Sequence, residues 1–315
     1  MSHKPCTLAF VVPCYNEEEV LPQTKTELLE LRSRLIQKGL IDEESFICFV
    51  DDGSKDRTWE LIEEYSADPS IKGLKLSRNC GHQNALLAGL FYAEGLADAA
   101  VSLDADLQDD ISVVEQMCEK FHDGCEIVYG VRKRRDTDTT FKRVSAEGIY
   151  KLMELMGVDI VYNHADFRLM SKRALSWLKE FGEVNLFLRG IIPLLGLKSD
   201  IVYYDRKERF AGESKYPLKK MLAFAWDGIT SFSVVPLRFI TILGGVVLVL
   251  SLVLSIWALV AKLSGNAVSG WTSMMLIVLF LGGVQMLSIG IIGEYIGKIY
   301  KETKRRPRFF VEKIV

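Results

Sequence analysis

The sequence contains neither GxGxxG nor GxxxxGK[ST], so dinucleotide-binding and P-loop readings of an α/β pattern lose their main support. It has no CxxC pair. Its six cysteines are scattered between Cys6 and Cys125 at spacings unsuited to zinc, and are expected to be reduced, packed thiols. It has no large excess of charge, net −2 from 39 basic and 41 acidic residues, which leaves nucleic acid without an electrostatic footprint. The opening MSHKPCTLAFVV lacks a charged leader, a long apolar core and a small-residue cleavage site, so no signal peptide is expected. There is no internal repeat and no low-complexity tract.

Two stretches lack charge altogether, and they change the class. Phe239–Ala261 reads FITILGGVVLVLSLVLSIWALVA and Trp271–Gly293 reads WTSMMLIVLFLGGVQMLSIGIIG. Each would span ~35 Å as a helix, enough to cross a hydrocarbon core of about 30 Å. The rival, a buried hairpin in a soluble protein, seldom lacks polar residues for so long. The connecting KLSGNAVSG has one Lys, whereas Lys215, Lys219, Lys220 and Arg238 precede the pair and Lys298, Lys301, Lys304, Arg305, Arg306 and Arg308 follow it. The positive-inside rule then places both flanks, and everything N-terminal, in the cytoplasm. Just upstream, Leu218, Met221, Leu222, Ala225, Trp226 and Ile229 recur at helical spacing beside Lys219 and Lys220. That pattern suits a helix in the membrane interface, packing against a sheet being the alternative.

The first 130 or so residues alternate apolar strands with amphipathic helices, the signature of a parallel sheet covered on both faces. TLAFVVP, FICFVDD, IKGLKLS, AAVSLDAD and EIVYGVR read as strands. Asn16 and Glu19 form a candidate capping box for the first helix, and Gly95 ends the third. Ligands in such sheets bind at the carboxyl ends of strands. Here those ends read PCYNEEE, DDGS, LSRN and DADLQD.

DADLQDD is the most informative of them. Asp109 or Asp110 can cap the following helix, but that leaves Asp104 and Asp106 unexplained. On an extended segment i and i+2 project to one side, so these two carboxylates would converge, at a cost unless a cation lies between them. Mg²⁺ or Mn²⁺ takes hard oxygen ligands of this kind together with substrate phosphates. Gln108 is a possible third contributor.

Taken together, VVPCYNEEE, VDDGSKDRT, NCGHQNALLAGL, DADLQD, ADFRLMSK, RFAGESKYPLKK and the paired apolar spans resemble glycosyltransferase family 2. Within it they are similar to polyprenyl-phosphate glycosyltransferases, including dolichyl-phosphate mannose synthases and bactoprenol glucosyltransferases. The resemblance covers nearly the whole chain. It implies a GT-A (Rossmann-like) cytosolic α/β domain over 1–215, a juxtamembrane interface helix over 216–235, and a two-helix transmembrane hairpin with a basic cytosolic tail over 236–315. It implies an inverting transfer of a sugar, glucose by closest likeness, from a UDP-sugar to polyprenyl phosphate at the inner or plasma membrane, with self-association as a tetramer.

By motif, Pro13, Tyr15, Glu17, Gly81 and Asp51 or Asp52 would hold the donor. Asp104 and Asp106, with Gln108, would hold Mg²⁺ or Mn²⁺ at its diphosphate. Arg132 and Arg143 would meet the acceptor phosphate, and Arg209, Ser214 and Lys215 would lie near the diphosphate and the membrane surface. Asp166 falls where related enzymes carry a catalytic carboxylate. A hydroxyl acceptor needs a base there. A phosphate, with a second pKa of about 6, does not, so Asp166 either takes a proton or orients the acceptor or nearby arginines. A processive polysaccharide synthase would carry QxxRW and more spans, neither of which occurs. A non-enzymatic scaffold derived from a transferase would be expected to lose the Asp pair first.

Overall fold

A computed structural model of the chain describes residues 4–133, 164–184, 187–205, 226, 229–231, 233–264 and 270–315. β1 (Leu8–Cys14) and β2 (Phe46–Asp51) are buried at every position, as strands covered on both faces must be. Between them α1 (Leu21–Gln37) turns Leu21, Leu28, Leu31 and Leu35 inward at helical spacing. α2 (Thr58–Tyr65), β3 (Ile71–Leu76), α3 (His82–Glu94) and β4 (Ala99–Ser102) continue the alternation. α4 (Val114–His122) and β5 (Ile127–Arg132) follow. α3 lies directly against the sheet, since a Cβ on Gly89 would come within 2.4 Å of Val11 and 2.7 Å of Val50.

The sheet is mixed rather than parallel throughout. β6 (His164–Ser171) inserts antiparallel between β4 and β5, followed by α5 (Lys172–Lys179), α6 (Leu188–Leu194) and β7 (Ser199–Tyr204). β7 pairs parallel with β5. The strand order is β7-β5-β6-β4-β1-β2-β3, with a C-terminal strand, β8 (Val311–Ile314), antiparallel on β3. The end of the expected basic tail is therefore part of the sheet.

Because β6 runs against β4, with Ser102 opposite Arg168, its beginning lies at the carboxyl end of β4. That reversal brings Asp166 to the edge where DADLQD begins. Hydrogen bonds from the Ser102 hydroxyl to the carbonyls of Asp166 (2.5 Å) and Arg168 (3.2 Å) fix the junction.

Two local expectations need correction. α1 is not capped by Asn16: it starts at Leu21, with Pro22 in its first turn and the Leu21 amide donating to the Glu17 carbonyl. Asn16 adopts φ +54 and instead accepts from the Lys55 amide at 2.8 Å. Further bonds from the Glu17 amide to the Thr58 hydroxyl (2.8 Å) and from the Arg57 amide to Glu18 (3.0 Å) stitch the loops after β1 and β2 together. Nor is DAD extended. β4 ends at Ser102, and the chain turns at Asp104–Leu107, the Leu107 amide bonding the Asp104 carbonyl at 3.2 Å. Asp104 and Asp106 reach solvent because of this turn, while Ala105 and Leu107 are buried. Asp110 does cap the next turn, accepting from the Ser112 amide at 3.1 Å.

The described residues form two units. Those of Met1–Tyr150, Asp159–Pro217 and Arg305–Val315 make the sheet unit; those of Lys151–Val158 and Leu218–Lys304 make the other. The second unit contains α7 (Val235–Leu263) and α8 (Trp271–Lys304). Within them Val235–Leu254 and Phe280–Lys304, with mean hydropathies of 2.5 and 1.3, are long and apolar enough to cross a membrane, and neither is buried in the protein. Ile242, Leu250 and Met286 are among their exposed side chains. Inside this unit the Tyr295 hydroxyl donates to the Ser233 carbonyl at 2.7 Å, and Lys298 donates to the Ser231 hydroxyl at 3.0 Å. Most of the predicted interface helix lies outside the described residues; of its apolar face, Trp226 is partly exposed and Ile229 is buried.

Candidate active site

At the carboxyl end of β1, Pro13 is buried in the strand opposite Val50, and Tyr15 is exposed just beyond it. Glu17, Glu18, Glu19 and Asp56 line an open crevice of about 490 Å³ with Asn16, Val20 and Lys55. Such a wall repels a bare phosphate.

The end of β2 divides the work of its two carboxylates. Asp52 accepts from the amides of Cys80 (2.6 Å) and Gly81 (2.9 Å), so it ties the loop after β3 rather than its own turn. Gly81, at φ +89, then opens α3. Gly53 also has positive φ, +69, and a Cβ there would meet the backbone of Arg78 and Asn79 at 2.7 Å; the two loops close on each other only through a glycine. Asp51 accepts from the Ser54 amide at 3.1 Å, while its Oδ2 is buried with no partner. Burial pushes both carboxyls up, more than their hydrogen bonds lower them.

Asp104 lies at the centre of the edge. Solvent reaches 43% of its side chain, yet the dense protein around it desolvates the carboxylate. That desolvation raises its pKa to about 6; His82 opposes the shift, and the charges of Asp109, Asp166 and Asp106 add to it. His82 Nε2 stands 3.7 Å from Asp104 Oδ1. The Gln108 amide donates to Asp106 Oδ1 at 3.3 Å, and the Gln108 side chain is buried.

Crowded oxygens of this kind are what a hard divalent cation relieves. Among the described residues no group of three or more His, Cys, Asp or Glu side chains could hold an ion by itself. Two carboxylates completed by substrate phosphates is the usual arrangement for Mg²⁺, so the residues present fit the group.

Asp166 is held by two arginines. Arg168 Nη2 donates to its Oδ1 at 2.5 Å, and Arg189 Nη2 donates to Oδ2 at 3.2 Å with Nε 3.4 Å from Oδ1. Burial alone would raise the Asp166 pKa. The guanidiniums of Arg189 and then Arg168 outweigh it and hold the carboxyl well below the usual carboxylate range. A carboxylate so stabilised is a poor proton acceptor. Arg168 is itself 1% exposed, and its Nη1 has no partner.

Arg132, at the end of β5, donates from Nη2 to Asp109 (3.1 Å) and from Nε to the Tyr204 hydroxyl (3.2 Å). Arg143, Arg209, Ser214 and Lys215 lie outside the described residues.

The structure thus brings Asp104, Asp106, Gln108, Asp166 and Arg132 to one edge, and adds His82, Arg168, Arg189, Asp109 and Tyr204 to it. Arg168 was legible as the i+2 neighbour of Asp166 on one strand, and Arg189 as the lone charge in the apolar run NLFLRGIIPLLG. Nothing local marks Tyr204.

A mixed α/β sheet with carboxylates gathered on its carboxyl edge is the GT-A-like arrangement of nucleotide-sugar transferases. Residues 9–178 match the model of Glycosyl transferase family 2, and residues 235–299 match the GtrB C-terminal hairpin. The chain belongs to glycosyltransferase family 2.

Its relatives are similar from end to end. An uncharacterized glycosyltransferase, YkoT, of Bacillus subtilis (strain 168) is 56% identical over 99% of this chain and 93% of its own. A prophage bactoprenol glucosyl transferase homolog of Escherichia coli (strain K12) is 41% identical over 98% of this chain and 99% of its own. The bactoprenol glucosyl transferase of Shigella phage SfX is 41% identical over 97% and 98%. Likeness to solved structures is looser. The mannosyltransferase PcManGT from Pyrobaculum calidifontis, in complex with GDP-Man and Mn²⁺, superposes with a TM-score of 0.45 at 14% identity, over 90% of this chain and 87% of that one.

Proposed function

We propose that this protein transfers a sugar, glucose being the reading its relatives favour, from a UDP-sugar to polyprenyl phosphate at a membrane, with inversion. One observation carries the proposal: a single chain joins a carboxylate edge suited to a nucleotide diphosphate to two helices long and apolar enough to reach a lipid acceptor. The 41% identity to bactoprenol glucosyl transferases extends across both parts.

In this reading the nucleoside lies over the ends of β1 and β2, near Tyr15 and Glu17. There the unpartnered Asp51 Oδ2 is an acceptor for an imide N–H. Asp104 and Asp106, with Gln108, hold Mg²⁺ or Mn²⁺, which when bound neutralises charge gathering on the departing diphosphate. The lipid phosphate is already an anion near neutral pH, so one of its oxygens attacks the anomeric carbon as the bond to UDP breaks, and no base is required. Asp166, locked by Arg168 and Arg189, orients that cationic group rather than taking a proton. Arg132 and Arg143 receive the phosphate, and Arg209, Ser214 and Lys215 complete the diphosphate side.

Connectivity supports two crossings. β8 follows the second helix and bonds into the same sheet as the strands that precede the first. A chain that leaves one folded unit and re-enters it must cross a bilayer an even number of times. Together with the basic flanks, this argues that the catalytic unit and both termini are cytoplasmic.

The test is direct. Purified full-length protein is incubated with undecaprenyl phosphate and a panel of radiolabelled nucleotide sugars, with Mg²⁺ or Mn²⁺. The proposal expects a lipid-linked sugar from UDP-glucose that chelation prevents. No lipid product from any donor, or equal transfer to undecaprenol, would overturn it.

A further inference from the structure

Arg132 is gripped by two buried partners. Its Nη2 donates to Asp109 Oδ1 at 3.1 Å and its Nε to the Tyr204 hydroxyl at 3.2 Å. Asp109 and Tyr204 are almost fully buried, at 5% and 2% exposure, whereas the Arg132 side chain is 23% exposed. The three come from three separate segments: the loop after β4, the end of β5 and the end of β7. Arg132 and Tyr204 are register partners on adjacent parallel strands, and the Lys133 amide bonds the Tyr204 carbonyl at 2.9 Å. The Tyr204 ring is wedged edge-on against Phe167, centroids 5.4 Å apart, next to Asp166 in the chain.

A solvated basic face does not need this construction. Burying a carboxylate and a phenol to grip one edge of a guanidinium is costly unless they are paired, and here both pair with the same arginine. What the grip achieves is orientation. A guanidinium recognises a phosphate through a planar fork, so the plane must be set before the anion arrives. Held through Nε and Nη2 by partners below, the Arg132 head is fixed in one plane at the carboxyl edge.

We propose that Asp109 and Tyr204 are positioning residues, which aim Arg132 at the phosphate of the lipid acceptor. This rests on the reading of Arg132 as an acceptor ligand given above. It assigns a role to two residues that touch neither substrate. It also gives Asp109 a task distinct from that of its neighbours Asp104 and Asp106: it faces the arginine, and they face the donor.

The test uses the full chain in detergent, with farnesyl phosphate as a soluble polyprenyl phosphate and UDP with Mn²⁺ as the donor-side probe. Each is followed by its concentration-dependent thermal shift. Tyr204→Phe removes one hydroxyl and keeps the ring against Phe167. It should weaken farnesyl phosphate binding roughly 10- to 150-fold, the worth of a hydrogen bond to a charged group, and leave the UDP–Mn²⁺ response as in wild type. Asp109→Asn should weaken farnesyl phosphate binding comparably. Arg132→Gln should weaken farnesyl phosphate at least as much, and adding Tyr204→Phe to it should cost nothing further.

Arg132→Gln effective but Tyr204→Phe silent would overturn the positioning role alone. Additive losses, or a loss confined to UDP–Mn²⁺, would show that this cluster serves the metal loop and would overturn it too. Arg132→Gln without effect would overturn both this inference and the acceptor reading beneath it.

Discussion

Asp166→Asn separates a positioning carboxylate from a general base. In the structure Asp166 is the anion for Arg168, which is 1% exposed, and it bonds Arg189 as well. Removing one charge of a buried pair costs about 3–5 kcal/mol. Asn retains one oxygen that can still accept, so the lower end, about 3 kcal/mol, is the better figure. For a unit of this size that lowers Tm by roughly 6–12 °C.

The pH dependence has a definite sign. The folded-state pKa of Asp166 lies below the unfolded value of about 3.9, so its stabilisation is present above that pH and is lost only as acid drives the pH down toward the folded value. The gap in Tm between wild type and mutant should therefore be constant from about pH 5 to about pH 8. The assay is thermal melting of detergent-purified protein across that range, paired with the pH profile of sugar transfer. A solvent-poised base would behave in the opposite way. The mutant would melt like wild type, transfer would fall roughly 10²- to 10⁴-fold, and a limb of the pH profile would vanish. That pattern would refute the reasoning.

Other outcomes follow from the same edge. Asp104→Asn removes a carboxylate whose pKa desolvation raises to about 6. In metal-free protein near pH 8 it should raise Tm slightly, while abolishing the UDP–Mn²⁺ shift and lowering transfer roughly 10²-fold or more. In the wild type, protons should compete with Mn²⁺ as the pH falls through about 6, which calorimetry would show as proton release on metal binding. Gly53→Ala forces a Cβ to 2.7 Å from the Arg78 and Asn79 backbone at positive φ. It should cost about 1–3 kcal/mol, read as a lower Tm and weaker UDP binding. Deleting Val311–Val315 strips the Gly73 amide and carbonyl of their bonds to Val315 (2.8 and 2.9 Å) and bares the β3 edge. Lower Tm and aggregation on gel filtration are expected.

The sequence showed the strand ends because Asp, Asn and Gly clusters punctuate apolar runs, and it showed the two long apolar helices because nothing else is uncharged for so long. It did not show β6 reversing between β4 and β5, although that reversal is what carries Asp166 to the edge. Such pairing is decided between segments distant in the chain, as is the return of β8 onto β3. Strand alternation was expected to turn Asp104 and Asp106 to one side; in the structure the strand ends at Ser102, and a turn is what exposes both. Asn16 misled because a residue in an αL turn can satisfy a neighbouring loop as readily as a helix end. Tyr204 carries no local signal; its role appears only once β7 lies beside β5.

The position of Mn²⁺ in a complex with UDP, located by its anomalous scattering, tests the central claim most directly. The ion is predicted between Asp104 and Asp106 and in contact with the UDP diphosphate. Manganese bound at another set of side chains, or UDP held at this edge with full affinity after Asp106→Asn and without metal, would contradict it.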